Sequence, residues 1–153
     1  MIRIGILGDI GSGKSYVANE FGYPVFNADK EVSELYKKDI TIYNKLKKAL
    51  PKYINAFPID KKEISNAILS NKNNLKKIIK IVHLEINQKL NIFLKKNKKK
   101  KFVILDIPIL LENKINQKKD ILIFIQSKKD DIYKRLKKRD NFNQKLLNLF
   151  ESI

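Results

Sequence analysis

The stretch that decides the fold is Ile2-Arg3-Ile4-Gly5-Ile6-Leu7, followed at once by Gly8-Asp9-Ile10-Gly11-Ser12-Gly13-Lys14-Ser15. The first six residues form a short, β-branched apolar run that predicts a strand. The next eight fit G-x-x-x-x-G-K-[ST] in full, and a helical pattern follows from Lys14 to about Phe21, where Gly22 stops it. A loop between such a strand and helix must turn successive backbone N–H groups onto phosphate oxygens, in conformations that Gly11 and Gly13 permit. Lys14 then meets β- and γ-phosphates as a point charge, the Ser15 hydroxyl is placed to ligate Mg²⁺, and the helix N-terminus adds positive potential. Gly8, Asp9, Ile10, Gly11, Ser12, Gly13, Lys14, Ser15 and the adjoining Tyr16 are the candidate ATP-binding residues.

Beyond this loop, Pro24-Val25-Phe26 predicts a second short strand, with Asp29 opening a helix that runs through Tyr36. Helical spacing of Ile42, Leu46, Ala49 and Leu50 continues to Pro51. Asp60 with Glu63 is a capping-box pair ahead of Ile64, Ala67 and Ile68. Asn74 is expected to start the longest helix, whose apolar stripe is Leu75, Ile78, Ile79, Val82, Ile86, Leu90 and Phe93. Phe102-Val103-Ile104-Leu105-Asp106 and Ile121–Ile125 are uninterrupted apolar runs of the kind found in parallel strands covered on both faces. Ser127 with Asp130 is expected to cap a helix carrying Ile132 and Leu136, and the tail stays helix-periodic through Leu146, Leu149, Phe150 and Ile153. Strands separated by helices imply right-handed crossovers: an α/β, P-loop NTPase-type parallel sheet flanked by helices.

Composition narrows the class further. The 153 residues contain no Cys and one His, which excludes a disulfide scaffold and thiolate metal sites and leaves little for zinc. The apolar runs are far too short to cross a bilayer, no signal segment opens the chain, and the expected compartment is the cytosol. A net charge of +17 invites a nucleic-acid reading, yet only three of the 33 basic residues are Arg: Arg3, Arg135 and Arg139. Lys, Ile and Asn, which share A/T-rich codons, supply 70 of the 153 residues, so the Lys excess is compositional. Groove readers lean on Arg, and single-strand binders interleave aromatics with basic residues. The run from Lys95 to Lys101 accordingly reads as a solvated loop, and a nucleic-acid partner is not expected.

Two acids complete the candidate site. Asp106 closes an apolar strand, where a carboxylate can hold Mg²⁺ or merely cap the following loop. Asp29 lies just past the second strand, and strand C-termini of such a sheet converge on the nucleotide crevice. From spacing alone, Asp29 as a base for an attacking hydroxyl and Asp29 as a helix cap are equally open.

Taken together, Gly8–Ser15 as G-D-I-G-S-G-K-S, Val25–Asp29 as V-F-N-A-D and Asp106–Glu112 as D-I-P-I-L-L-E resemble the dephospho-CoA kinase family. The apolar helix bearing His83 and the segment Arg135-Leu136-Lys137-Lys138-Arg139-Asp140 agree with it. The resemblance implies transfer of the ATP γ-phosphate to the ribose 3′-hydroxyl of dephospho-CoA, the last step of coenzyme A synthesis. It makes Asp29 the general base, Lys14 and Arg139 catalytic partners, and Ser15 with Asp106 the Mg²⁺ ligands. His83, Pro108, Leu110 and Glu112 would contact the acceptor. It further implies one kinase domain over residues 1–153, with a helical acceptor-binding region at 29–95 and a partial lid at 135–153. ATP and dephospho-CoA are the expected partners, while oligomeric state is left open.

Three positions depart from the family pattern. Asp9 stands where Gly is usual, and an acid there must turn away from polyphosphate. Leu84 replaces the Pro that usually follows the His. The chain also stops where the family continues with a further strand, so it is expected to be C-terminally incomplete and Ile121–Ile125 to form an apolar edge. Another small-molecule kinase of the same fold, and a truncated nucleotide-binding protein without catalysis, are the alternatives.

Overall fold

A computed structural model describes residues 1–107, 119–138 and 142–151. Among them the elements run β1 (Ile2–Gly8), α1 (Lys14–Glu20), β2 (Val25–Asn27), α2 (Ala28–Lys38), α3 (Ile40–Ala49), α4 (Lys61–Ser70), α5 (Lys72–Lys96), β3 (Phe102–Asp106), β4 (Ile121–Ile125), α6 (Lys129–Lys137) and α7 (Gln144–Glu151). The backbone divides into two compact units, Met1–Asp29 with Lys89–Phe142, and Lys30–Gln88 with the segment from Asn143 onward.

The first unit holds a parallel sheet in the order β2-β3-β1-β4. Its register sets Ile6 and Asn27 on either side of Asp106, and Gly8 beside Ile125, so β2 and β3 end level with each other while β1 and β4 end level two residues further on. Ile4, Ile6, Ala18 and Ile104 form a buried cluster that Phe21, Val25, Phe102, Ile123 and Ile125 extend, which places α1 over one face. On alternate positions Val103 and Leu105 are also buried, and the Phe26 ring lies 5.5 Å from the ring of Phe93 on α5. Covering on both faces is why β3 reads as a continuous apolar run. Arg3, almost fully buried, is held by a 2.8 Å ion pair to Asp120 just ahead of β4.

Strand β4 does not follow β3 in this respect. It borders only β1 among the described residues, and Ile121, Leu122 and Phe124 are exposed. Among the described residues the run is thus an edge strand with exposed apolar side chains, not the strand covered on both faces that its pattern predicts.

The second unit is helical. Ile42 and Leu46 on α3, Ala67 on α4 and Ile86 on α5 are buried at helical spacing, and α7 packs against α4. Its caps add one that the sequence pattern did not mark and correct two expectations. Asp39, not singled out above, caps α3 by accepting from Thr41 N and Ile42 N. Asp60 caps α4 by accepting from Lys62 N, but Glu63 does not close a capping box; its Oε1 accepts the Asn55 N–H at 3.0 Å, tying the preceding loop to the helix. The long helix begins at Lys72, with Asn71 Oδ1 accepting from Asn73 N, while Asn74 is buried and donates to Ala67 O at 2.8 Å. Among the described residues no helix is long and apolar enough to cross a membrane.

Candidate active site

The loop between β1 and α1 adopts the phosphate-binding form. Gly11 and Gly13 have φ of 85° and 101°, a region that L side chains rarely occupy, which is the constraint anticipated from the motif. Gly13 precedes α1 with no side chain capping the helix, so the first-turn amides stay available to an anion. Lys14 Nζ donates to Gly8 O at 2.6 Å and Asp9 O at 3.0 Å, which folds the ammonium back over the loop. The Asp9 side chain is exposed, and its carbonyl accepts from Ser12 N. Ile10 is partly exposed and Tyr16 largely so, on the first turn of α1.

The strand ends supply the rest. Ser15 Oγ donates to Asp106 Oδ2 at 2.5 Å, and Asn27 Nδ2 donates to the same oxygen at 2.6 Å and to Ser15 Oγ at 3.3 Å. Three elements thus deliver three polar side chains to one point: β2 and β3 end on the paired Asn27 and Asp106, and α1 brings Ser15 in its first turn. The Ser15 hydroxyl and the Asp106 carboxylate are hard oxygen donors. No group of three or more His, Cys, Asp or Glu gathers among the described residues. Such a set suits Mg²⁺, which keeps waters and takes its other oxygens from phosphate, better than a metal needing an all-protein cage.

Two residues of this site were missed or misread from sequence. Asn27 lies inside the quoted V-F-N-A-D segment, but its role depends on the pairing of β2 with β3. Ser127 does not cap α6, whose N-cap is Lys128 without a side-chain bond; its hydroxyl instead donates to Ser12 O at 2.7 Å. Arg135 Nη1 reaches the same loop, donating to Ser12 O at 3.1 Å and Gly11 O at 3.3 Å.

The remaining candidates are placed as follows. Asp29 is the second residue of α2 and exposed, inside the helix that it was expected to open, two residues beyond Asn27. His83 lies on α5 in the helical unit, with Asn87 Nδ2 3.1 Å from its Nδ1. Pro108, Leu110, Glu112 and Arg139 lie outside the described residues.

The chain is similar to known proteins along almost its whole length. The family model of dephospho-CoA kinase (CoaE) matches residues 2–149. The dephospho-CoA kinase of Wolbachia sp. subsp. Brugia malayi (strain TRS) is 37% identical over 155 residues, covering 98% of this chain and 79% of the relative. That of Rickettsia typhi is 34% identical over 158 residues, covering 100% of this chain and 80% of the relative. In three dimensions, TT1252 from Thermus thermophilus superposes with a TM-score of 0.73 at 24% identity, over 99% of this chain and 78% of that one. The dephospho-CoA kinase from Campylobacter jejuni gives 0.62 at 22% identity, over 98% and 78%. These two likenesses establish the fold, a parallel sheet flanked by helices. Sequence identity sustained across almost the whole chain, together with a family model reaching from β1 into α7, establishes the descent: the chain belongs to the dephospho-CoA kinase family.

Proposed function

We propose that this protein transfers the γ-phosphate of ATP to the ribose 3′-hydroxyl of dephospho-CoA, the final step of coenzyme A synthesis, in the cytosol and with Mg²⁺. The observation that carries this reading is the meeting of Ser15, Asn27 and Asp106 beside a complete phosphate-binding loop. Catalysis of this kind is positioning and charge neutralisation more than covalent chemistry by the protein.

In this reading the loop amides and Lys14 hold the β- and γ-phosphates, Lys14 exchanging its bonds to Gly8 O and Asp9 O for phosphate oxygens. Ser15 and Asp106 hold Mg²⁺, which when bound neutralises charge on the phosphate oxygens. Asn27 keeps the Asp106 carboxylate in a fixed orientation through its amide. Asp29 takes the proton of the 3′-hydroxyl as that oxygen attacks, and Arg139 closes over the transferring group. Residues 29–95, His83 among them, bind the acceptor together with Pro108, Leu110 and Glu112, and residues 135–153 form part of a lid.

The direct test compares phosphate acceptors at fixed ATP and Mg²⁺, following ADP release with dephospho-CoA, nucleoside monophosphates and shikimate. Turnover with dephospho-CoA alone is expected. Preference for another acceptor would assign a different kinase specificity, and ATP binding without transfer to any of them would leave a nucleotide-binding protein without catalysis.

A further inference from the structure

Two side chains from outside the phosphate-binding loop grip the same carbonyl within it. Ser12 O accepts from Ser127 Oγ at 2.7 Å and from Arg135 Nη1 at 3.1 Å, two hydrogen bonds on one carbonyl. Arg135 Nη1 also lies 3.3 Å from Gly11 O and from Ser127 Oγ, which joins the two grips into one small network. The donors come from the segment after β4 and from α6, more than a hundred residues along the chain.

The consequence follows from peptide geometry. The Ser12–Gly13 bond is trans, and in a planar trans peptide the C=O and N–H point in opposite directions. Fixing Ser12 O toward Ser127 and Arg135 therefore turns the Gly13 N–H to the opposite side, away from both of those side chains. Gly13, at φ 101°, has a conformation that would otherwise be one of several open to glycine. A cation bonded to the carbonyl also polarises the peptide and makes its N–H a stronger donor. Arg135 is exposed, and a Cβ on Gly13 would be 3.6 Å from its Nη1.

We infer that Arg135 and Ser127 are positioning residues that orient the Ser12–Gly13 peptide so that the Gly13 N–H is presented to a phosphate oxygen of ATP. This rests on the reading of the loop as the ATP site. In that role Arg135 acts through the carbonyls of Gly11 and Ser12.

The test measures ATP affinity and the KM of both substrates in the full chain carrying Arg135→Ala, Arg135→Lys, Ser127→Ala or Lys134→Ala. Loss of a charge-assisted bond predicts ATP binding weaker by about tenfold for Arg135→Ala and about threefold for Ser127→Ala, since tenfold corresponds to about 1.4 kcal/mol. Arg135→Lys recovers part of the loss, and Lys134→Ala, which removes an equal charge next to it, binds as wild type. The KM for dephospho-CoA stays unchanged below the melting temperature of each variant. The backbone amide signal of Gly13, shifted by ATP in ¹H–¹⁵N spectra of wild type, loses that shift in Arg135→Ala. Should Arg135→Ala fail to fold, Ser127→Ala, which removes a single hydroxyl, decides by the same readouts. Equal ATP affinity and an unchanged Gly13 shift in the variants would overturn the inference. Absence of ATP binding by wild-type protein would instead overturn the reading of the loop itself.

Discussion

Asn27 and Asp106 are partners in the ladder between β2 and β3, and Asn27 Nδ2 donates to Asp106 Oδ2 at 2.6 Å. Because that oxygen also accepts from Ser15, the amide sets how the carboxylate faces the loop. An outer partner of this kind typically contributes about 10- to 100-fold to metal affinity. Asn27→Ala is therefore expected to raise the Mg²⁺ concentration for half-maximal turnover by about tenfold, with maximal turnover at saturating Mg²⁺ reduced much less. A Mg²⁺ titration at fixed ATP checks this, and an unchanged half-point would remove Asn27 from the metal site.

Asp29 follows Asn27 by two residues and opens onto solvent from the first turn of α2. A general base contributes about 10²- to 10⁴-fold to rate, and Asn cannot take a proton from a hydroxyl. Asp29→Asn should thus cut kcat by at least about 10²-fold while leaving ATP affinity within experimental error of wild type. Near-normal turnover at saturating substrates would show that Asp29 serves α2 only as an acid in its first turn, where the helix dipole favours it.

Much of this site could be read from sequence because its chemistry is local. Gly8 through Ser15 are contiguous and match one motif in full, and Asp106 terminates an apolar strand, although a loop-capping role is also a reason for an acid there. Asn27, Ser127 and Arg135 were not legible in the same way. Asn27 acquires its role only through strand register, and Ser127 and Arg135 meet the loop across 115 and 124 residues of chain. Ser127 with Asp130 also matched a helix start, and tertiary bonding to Ser12 O won over local capping. Glu63 shows the same competition, since the unpaired N–H of Asn55 claims its carboxylate in place of its own helix terminus. Arg135 did carry a signal: in a chain that uses Lys for 30 of its 33 basic residues, an Arg marks a place where a planar, multi-donor group is needed.

Lys14 bridges Gly8 O and Asp9 O, so the ammonium is already held over the loop by bonds that phosphate oxygens would replace. Its removal takes away both that organisation and the positive charge that the proposed reaction sets against the transferred group. Loss of one such donor costs about 10²–10³ in kcat, and Lys14→Ala is expected to fall at least that far. Measuring kcat separately from ATP affinity distinguishes the two contributions: a variant that recovers full turnover at high ATP would show that Lys14 serves binding alone.

Tyr36 on α2 carries the pH dependence that the second unit should show. It is 6% exposed, and burial raises the pKa of its hydroxyl above the ordinary value near 10. Below that value both folded and unfolded chains keep the proton, so the group contributes no slope. Above it the unfolded chain ionises first, binds fewer protons than the folded protein, and stability must fall as pH rises. The limiting slope is about 1.4 kcal/mol per pH unit, and it ends once the pH passes the raised folded value. Lysines titrate in the same alkaline range, so the comparison that isolates Tyr36 is with Tyr36→Phe, which fills the same space without the hydroxyl. Urea unfolding of the two proteins from pH 8 to pH 11.5 should give a stability difference that is flat up to about pH 10 and then shifts steadily in favour of Tyr36→Phe. A difference that stays constant across the whole range would mean that Tyr36 ionises as readily in the folded protein as in the unfolded chain, and its burial would then not be the source of alkaline sensitivity.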